Sequence, residues 1–263
     1  MGKVFCLSLT FAALLGFLPT TAYPETPAKK KTSSPLEIEA GSTSEQLTNN
    51  YDDWTSSYLN LSKKIGKRKT LYGSVRETNR FDLKDDETRL GYYHPLGKKW
   101  TVHLEGATSS THRVLARWAL FGGLIRQFSG GWVVNLSLRK RVYTKSRINI
   151  GVASLERYFG NFHATYSFYQ TSLEGDGSEQ AHAVRLNYYY TDRSRIGVAF
   201  SSGMELEDLG PVLGVLRSYV TNITVSGRHD ISPNWGVTYS YSYLEQGASY
   251  IKRGLQIGLS FRF

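Results

Sequence analysis

Hydrophobic and polar residues alternate with a period of two along most of this chain, as in β-strands whose two faces meet different surroundings. In residues 250–263 the large apolar side chains occupy one phase, while Arg, Ser, Gln and Gly occupy the other. Residues 235–243 and 100–105 repeat this pattern. Because a membrane-spanning barrel turns its apolar phase to lipid and its polar phase to the lumen, the alternation predicts transmembrane strands.

The whole chain from residue 36 onward divides into segments of about ten residues separated by turn residues. The predicted strands are 36–47, 53–64, 69–81, 85–94, 99–108, 115–128, 131–143, 147–158, 161–172, 180–190, 194–203, 215–229, 234–246 and 250–263. Residues 115–128 are apolar in both phases, so the faces of this strand are not assigned. The pattern therefore predicts an all-β fold, a transmembrane antiparallel up-and-down β-barrel of about 14 strands.

The connections between these strands favour one orientation in the membrane. Every second connection is tight, whereas the two longest, 173–179 and 204–214, fall on the same side. Bacterial barrels keep short turns in the periplasm and long loops outside. We therefore expect the C-terminus to be periplasmic.

The N-terminal residues precede the barrel as two separate segments. Residues 1–22 have a positive n-region at Lys3, an apolar stretch and a small-residue cleavage site, which predicts a secretory signal peptide cut after Ala22. Residues 23–35 are rich in Pro and Lys and predict a flexible linker. The single cysteine, Cys6, lies in the signal peptide, so the mature barrel, residues 36–263, has no disulfide or thiolate chemistry.

The composition of the chain indicates an anionic partner. The chain has 18 Tyr, 12 Phe, 5 Trp and a net charge of +10, which suits a strand-rich protein that attracts anions. Candidate partners are outer-membrane lipid and lipopolysaccharide, an acidic polysaccharide or a small anionic solute. Nucleic acid also qualifies on net charge alone, but no nucleic-acid partner is expected.

Catalytic and cofactor-binding patterns are weak in this sequence. The six histidines lack metal-site spacing, Gly-x-Ser-x-Gly is absent, and residues 91–99 only approach a phosphate-binding loop. His163 or His182 could serve a lipase or deacylase on the outer rim, but chance placement is the simpler interpretation. Asp176 could bind calcium, although its Gly-Asp-Gly-Ser context favours a turn. We expect no enzyme activity, metal or cofactor.

Arginine is the more informative residue type. Several arginines share the polar phase of their strands, and a charge on the lipid face near the midplane costs about 2–4 kcal/mol, so they should face the lumen. These lumen and anion-binding candidates are Arg76, Arg80, Arg139, Arg141 and Arg185. They either pair with inward carboxylates such as Glu87 and Glu105, or form a cationic interior that selects anions.

Three segments carry a resemblance to a known family. Residues 76–81 (RETNRF), 154–162 (SLERYFGNF) and 250–263 are similar to the YaiO family of outer-membrane β-barrels, with the turn Gly160-Asn161 as the most specific part. The resemblance implies a signal peptide, an outer-membrane location and an association with surface-polysaccharide machinery. It implies no catalytic residue.

Function and assembly are expected to follow from these features. The favoured hypothesis is export or assembly of an anionic surface polysaccharide through a polar, cationic, porin-like lumen. The alternatives are an anion-selective channel for small solutes and a non-conducting structural or adhesive barrel. The terminal aromatic residues Phe261 and Phe263 are expected to be read by the barrel-assembly machinery, as in similar barrels.

Overall fold

A computed structural model describes residues 36–263 except 81, 176 and 209–214. The predicted signal peptide 1–22, the linker 23–35 and Asp176 lie outside the described residues. The strands are β1 (Leu36–Leu47), β2 (Trp54–Gly66), β3 (Lys69–Arg80), β4 (Leu83–Leu96), β5 (Trp100–Thr108), β6 (Trp118–Gln127), β7 (Trp132–Val142), β8 (Arg147–Phe159), β9 (Phe162–Leu173), β10 (Ser178–Tyr189), β11 (Arg195–Asp208), β12 (Val215–Asp230), β13 (Trp235–Gln246) and β14 (Tyr250–Arg262). Within the described part of the chain, no helix is long and apolar enough to cross a membrane.

The strands form one closed antiparallel barrel in which each strand pairs with its neighbours in sequence. Closure joins β1 to β14, from Glu37 opposite Arg262 to Leu47 opposite Lys252. The predicted fold class and the predicted number of strands are confirmed. Closure also gives every strand edge a partner, as a membrane barrel requires.

The two phases of each strand meet different environments. Leu138, Leu90 and Leu120 point outward and are 73%, 61% and 59% exposed, as expected for side chains that meet lipid. On the same strands, Arg139 and Arg89 point inward and are at least half-buried. The inward phase also carries a buried apolar cluster of Tyr93, Ile125 and Val133. The alternation in the sequence therefore corresponds to the two faces of the wall.

The two ends of the barrel differ in the length of their connections. The terminal end, which contains Leu36 and Phe263, has tight turns after β2, β4, β6, β8, β10 and β12. The loop end contains the remaining connections. Its longest continuously described connection is 109–117, between β5 and β6.

Two predicted strand boundaries are wrong at the loop end. The sixth strand begins at Trp118 instead of residue 115, because the Asp85 carboxylate accepts hydrogen bonds from the backbone N–H groups of Val114 and Leu115 and holds them in a loop. β11 continues to Asp208, where a loop from residue 204 was predicted, because pairing with β12 extends to Asp208 opposite Val215.

Candidate functional site: the inner wall of the barrel

The inner phase of the strands carries charges of both signs. Its basic residues are Lys64, Arg76, Arg80, Arg89, Arg139, Arg141, Arg185, Arg195, Arg228, Lys252 and Arg262. Its acidic residues are Glu37, Glu39, Glu45, Asp85, Glu87, Glu105, Glu156, Glu179, Glu205 and Asp230. Many of the remaining basic residues lie in turns or on the outer phase. The similar numbers of inward basic and acidic residues do not confirm the predicted net cationic interior. Whether an arginine can bind an anion therefore depends on whether it is already paired with a carboxylate.

Near the terminal end, arginines are paired across the closing strands. Arg228 on β12 and Arg262 on β14 place guanidinium nitrogens 2.6 Å and 2.7 Å from the two carboxylate oxygens of Glu37 on β1. Arg228 also approaches Asp230 at 3.5 Å. Charge-assisted bonds of this length are among the strong ones, so these arginines stabilise the closure.

A second network covers the inner face of β3 to β7. The Tyr72 hydroxyl donates to Glu105 at 2.5 Å and lies 2.8 Å from His103 Nε2. Glu105 also accepts two arginine contacts of 3.7 Å, from Arg89 and Arg139. Arg139 in addition lies over the Phe121 ring at 5.0 Å. The charge of Arg139 is thus partly neutralised by Glu105. Glu87, the other carboxylate expected to pair with inward arginines, forms an ion pair with Arg89 at 2.8 Å.

Toward the loop end, cations are held by aromatic rings. Lys252 is 1% exposed, lies 2.7 Å from Glu45 and 4.9 Å from the Trp54 ring centroid. Arg80 lies over the same Trp54 ring at 4.6 Å, and Arg76 lies over another ring, that of Tyr58, at 5.7 Å. Cation–π contacts of this kind stabilise desolvated charges. Arg76 and Arg80 are therefore engaged by the wall itself.

Three inward arginines on the opposite side of the barrel differ from these. Among the described residues, Arg141 on β7, Arg185 on β10 and Arg195 on β11 form no ion pair with a carboxylate. Arg141 lies on the same phase as Arg139 and close enough to repel it, and Arg185 and Arg195 repel each other similarly. We call Arg139, Arg141, Arg185 and Arg195 the arginine wall. Arg139 is shared with Glu105, and the charges of Arg141, Arg185 and Arg195 are available to an anion in the lumen.

The histidines proposed for a hydrolase are placed elsewhere. His163 lies at the terminal end, stacked on Tyr158 at 4.1 Å, with Nε2 2.9 Å from Glu156. His182 faces outward, 2.8 Å from the Tyr166 hydroxyl. The hydrolase hypothesis needs its histidine at the outer rim. His182 is on the lipid-facing phase, and His163 meets that condition only with the terminal end outside the cell. No group of three His, Cys, Asp or Glu residues suited to a metal ion occurs in the described ranges.

The loop 109–117 is anchored by a buried carboxylate at the loop end. Asp85 is 1% exposed and accepts from the Val114 and Leu115 amides at 2.7 Å and 2.8 Å. The outward phase of β4 is polar here, at Lys84 and Asp86, so this segment projects beyond the lipid-facing band. Burial alone would raise the pKa of Asp85, but the backbone donors outweigh it and lower that pKa below the ordinary 3.8.

Several of these residues were missed by sequence reasoning. Lys252, His103 and Asp85 each lie on an inward phase that could be read from the alternation. A charged or aromatic residue on that phase was the available signal. Their contact partners could not be predicted from the alternation. Lys252, for example, pairs with Glu45, which lies near the other end of the barrel sequence.

The chain ends on aromatic residues that pack together at the terminal end. Phe261 lies 4.7 Å from Trp235 and 4.8 Å from Phe263 between ring centroids. The Phe263 amide donates to the Leu36 carbonyl at 3.0 Å, so the last residue also closes the strand ladder. Its ring is 64% exposed and accessible to another protein.

The chain has the features of an outer-membrane β-barrel. Its fourteen antiparallel strands close into a ring, with an apolar outer face and a largely polar inner face. The YaiO membrane beta barrel domain matches residues 36–208, and the chain belongs to the YaiO family. None of the curated proteins matches it.

Solved outer-membrane barrels share this fold. The chain is similar to the CymD monoaromatic hydrocarbon channel, with 10% identity, a TM-score of 0.58, and coverage of 88% of this chain and 89% of that one. A bacterial polysaccharide outer membrane secretin has 9% identity, a TM-score of 0.55, and coverage of 88% and 98%. OmpF of Salmonella typhi, in complex with daunomycin, has 9% identity, a TM-score of 0.51, and the same coverage as the secretin. At these identities the likeness concerns the fold alone.

Proposed function

We propose that this barrel takes part in the export or assembly of an anionic surface polysaccharide, with its C-terminus in the periplasm. One observation carries the proposal. Arg141, Arg185 and Arg195 face the lumen without a carboxylate partner in the described chain, whereas Arg228, Arg262 and Arg89 are paired. Half-buried charges left without a counter-ion favour an anionic ligand.

The chemistry of the arginine wall suits a polymer that carries repeated negative charges. A guanidinium group binds carboxylate or phosphate through two parallel N–H donors and keeps its charge at every physiological pH. The four arginines lie on three of the five strands from β7 to β11, so one extended chain could contact them in succession. The fold similarity to a polysaccharide secretin agrees with this proposal without carrying it.

A small-anion channel is the second candidate, since the same unpaired arginines would select chloride or phosphate as rings of basic residues do in anion pores. A non-conducting structural or adhesive barrel is the third. It is favoured by inward apolar side chains that fill part of the interior, among them Trp54, Leu244 and Tyr250 at the loop end.

Planar-bilayer recording of the refolded mature chain separates the three functions. Polygalacturonate, an anionic polysaccharide, should block the current in a concentration-dependent way, whereas neutral dextran of the same length should not. The double variant Arg141→Glu with Arg185→Glu should abolish that block and shift the reversal potential toward cation preference. Arg253→Glu, an outward residue on β14, is the matched control and should behave as the unaltered protein.

Each result assigns one function. Anion-selective current without polygalacturonate block would assign the small-anion channel and overturn the glycan proposal. If correctly folded protein carries no current, the non-conducting structural or adhesive barrel would be the remaining function. Unchanged selectivity in the double variant would show that the arginine wall does not line the conducting path.

A further inference from the structure

The outer face of the barrel is concave over β4 to β9. A cavity of about 1030 Å³ opens there on the lipid-facing side, and the outward residues that line it include five leucines and three glycines. This volume is at the upper end of the roughly 300–1,000 Å³ found for small-ligand sites. The convex wall of a barrel does not by itself produce such a depression, so its lining needs an explanation.

Leucine and glycine alternate between neighbouring strands in this region. Across the pairing from β6 to β4, outward Leu120, Gly106 and Leu90 are directly opposite one another in turn. In the next row, from β8 to β5, the corresponding residues are Gly151, Leu138, Gly122 and Leu104. Each glycine leaves a gap beside a leucine side chain, and together the gaps form the floor of a groove.

One end of the groove is polar and positively charged. Lys140 on β7 is outward, exposed and has no ion-pair partner among the described residues; it continues the row of Leu120. Asn149 and Ser172 follow it on β8 and β9 and line the same cavity. Lys140, Asn149 and Ser172 lie toward the loop end of their strands, as does Leu120 opposite Lys140, whereas Leu90, Leu104 and Leu138 lie nearer mid-strand. The groove thus has an ammonium group above an apolar trough.

We propose that this groove binds the phosphorylated, acylated lipid A portion of lipopolysaccharide. Acyl chains would occupy the leucine and glycine trough, and Lys140 would contact a phosphate, because basic residues at a membrane surface attract anionic lipid headgroups. The choice of the outer leaflet rests on the proposed orientation, with the loop end outside the cell. A second copy of the chain suits the groove less well, since a two-fold contact across it would bury Lys140 of both copies, and the outward lining residues offer it no carboxylate.

Native mass spectrometry of the detergent-solubilised full chain tests this directly. Lipid A should bind as a discrete adduct, and the same lipid with its phosphates removed should bind more weakly. Lys140→Glu should weaken lipid A binding by about tenfold, and Lys140→Gln by less. Gly122→Leu, which fills the trough, should weaken both lipids. Arg253→Glu and Ala40→Leu, outward changes on the distant strands β14 and β1, should leave binding unchanged.

Heat-modifiable mobility on gels first confirms that each variant is folded. Equal binding of the two lipids, or lipid A binding unaffected by both Lys140 substitutions and Gly122→Leu, overturns the proposal. A dimer mass that Gly122→Leu abolishes also overturns it and assigns the groove to a second copy. The orientation is tested separately by cysteine labelling, so its failure is distinguishable from failure of the lipid site.

Discussion

Individual glycines are required in the barrel where the backbone turns into a left-handed conformation close to another strand. Gly131, before β7, has φ +77°, and a Cβ there would lie 2.3 Å from the Tyr158 carbonyl oxygen. Gly160, between β8 and β9, also has positive φ, at +56°, but a Cβ would have open space. A side chain at residue 160 would meet only backbone strain, whereas one at residue 131 would meet both backbone strain and steric overlap.

Gly131→Ala should therefore destabilise the barrel more than Gly160→Ala. The alanine at residue 160 experiences only left-handed strain of about 1–2 kcal/mol. At residue 131 the overlap with Tyr158 adds about 1–3 kcal/mol. Urea unfolding in lipid vesicles, followed by tryptophan fluorescence, measures both, and equal losses would show that the turn at residue 131 relaxes freely.

Asp85 is a residue whose charge determines the conformation of a loop. Its carboxylate receives two backbone hydrogen bonds, each worth about 1.5–3 kcal/mol when the acceptor is charged. Since the folded pKa is depressed, this stabilisation is fully present above the ordinary value of 3.8 and is lost as the pH falls through the lower folded pKa. The loop 109–117 should thus remain anchored at neutral pH.

Asp85→Ala should make this loop accessible to protease at neutral pH. Cleavage by trypsin after Arg113 or Arg117, both exposed, should accelerate by about tenfold or more, consistent with the loss of these bonds. Asp86→Ala, which removes exposed contacts to Ser110 and Thr111, is the control and should have a smaller effect. A cleavage rate in Asp85→Ala equal to that of the unaltered protein would contradict the anchoring role.

At the scale of elements, β14 closes the barrel and presents the chain terminus. It pairs along its length with β1 and β13, so the strand is held without its last residue. Phe263 contributes one hydrogen bond to Leu36 and an exposed ring. Its role is therefore expected in assembly more than in the stability of the folded barrel.

Deletion of Phe263 should lower the amount of folded protein in the outer membrane several-fold, while the unfolding midpoint of what does fold changes little. Phe263→Tyr keeps an aromatic terminus and should assemble normally. The fraction of protein with heat-modifiable mobility in membrane extracts measures assembly. An unchanged fraction after the deletion would show that Phe263 is not part of the assembly signal.

At the scale of the whole molecule, the asymmetry of the two ends determines the expected orientation. The terminal end has tight turns, and the loop end includes the connection 109–117. Barrels of the outer membrane place short turns in the periplasm. The loop end is therefore expected outside the cell.

Single cysteines test this orientation, because the predicted mature chain has none. Lys145→Cys, in the exposed connection after β7, should react with a membrane-impermeant maleimide on intact cells. Lys98→Cys, in the exposed turn before β5, should react only after the cells are disrupted. The reverse pattern would place the loop end in the periplasm and would remove the outer-leaflet argument for lipid A.

The sequence by itself determined the all-β class, the fourteen strands and the lipid-facing phase of strands that alternate clearly, because a period of two is a local property of successive residues. It left the faces of the sixth strand unassigned, because residues 115–128 are apolar in both phases. It also placed Arg76, Arg139 and Arg185 on the inward phase. Only the tertiary structure decided which charges are paired. Arg228 meets Glu37 across 191 positions of the chain, and that contact depends on closure and on the stagger of the strands. The anchored loop at Asp85 and the groove beside Lys140 depend on such register too, so alternation alone could not reveal them.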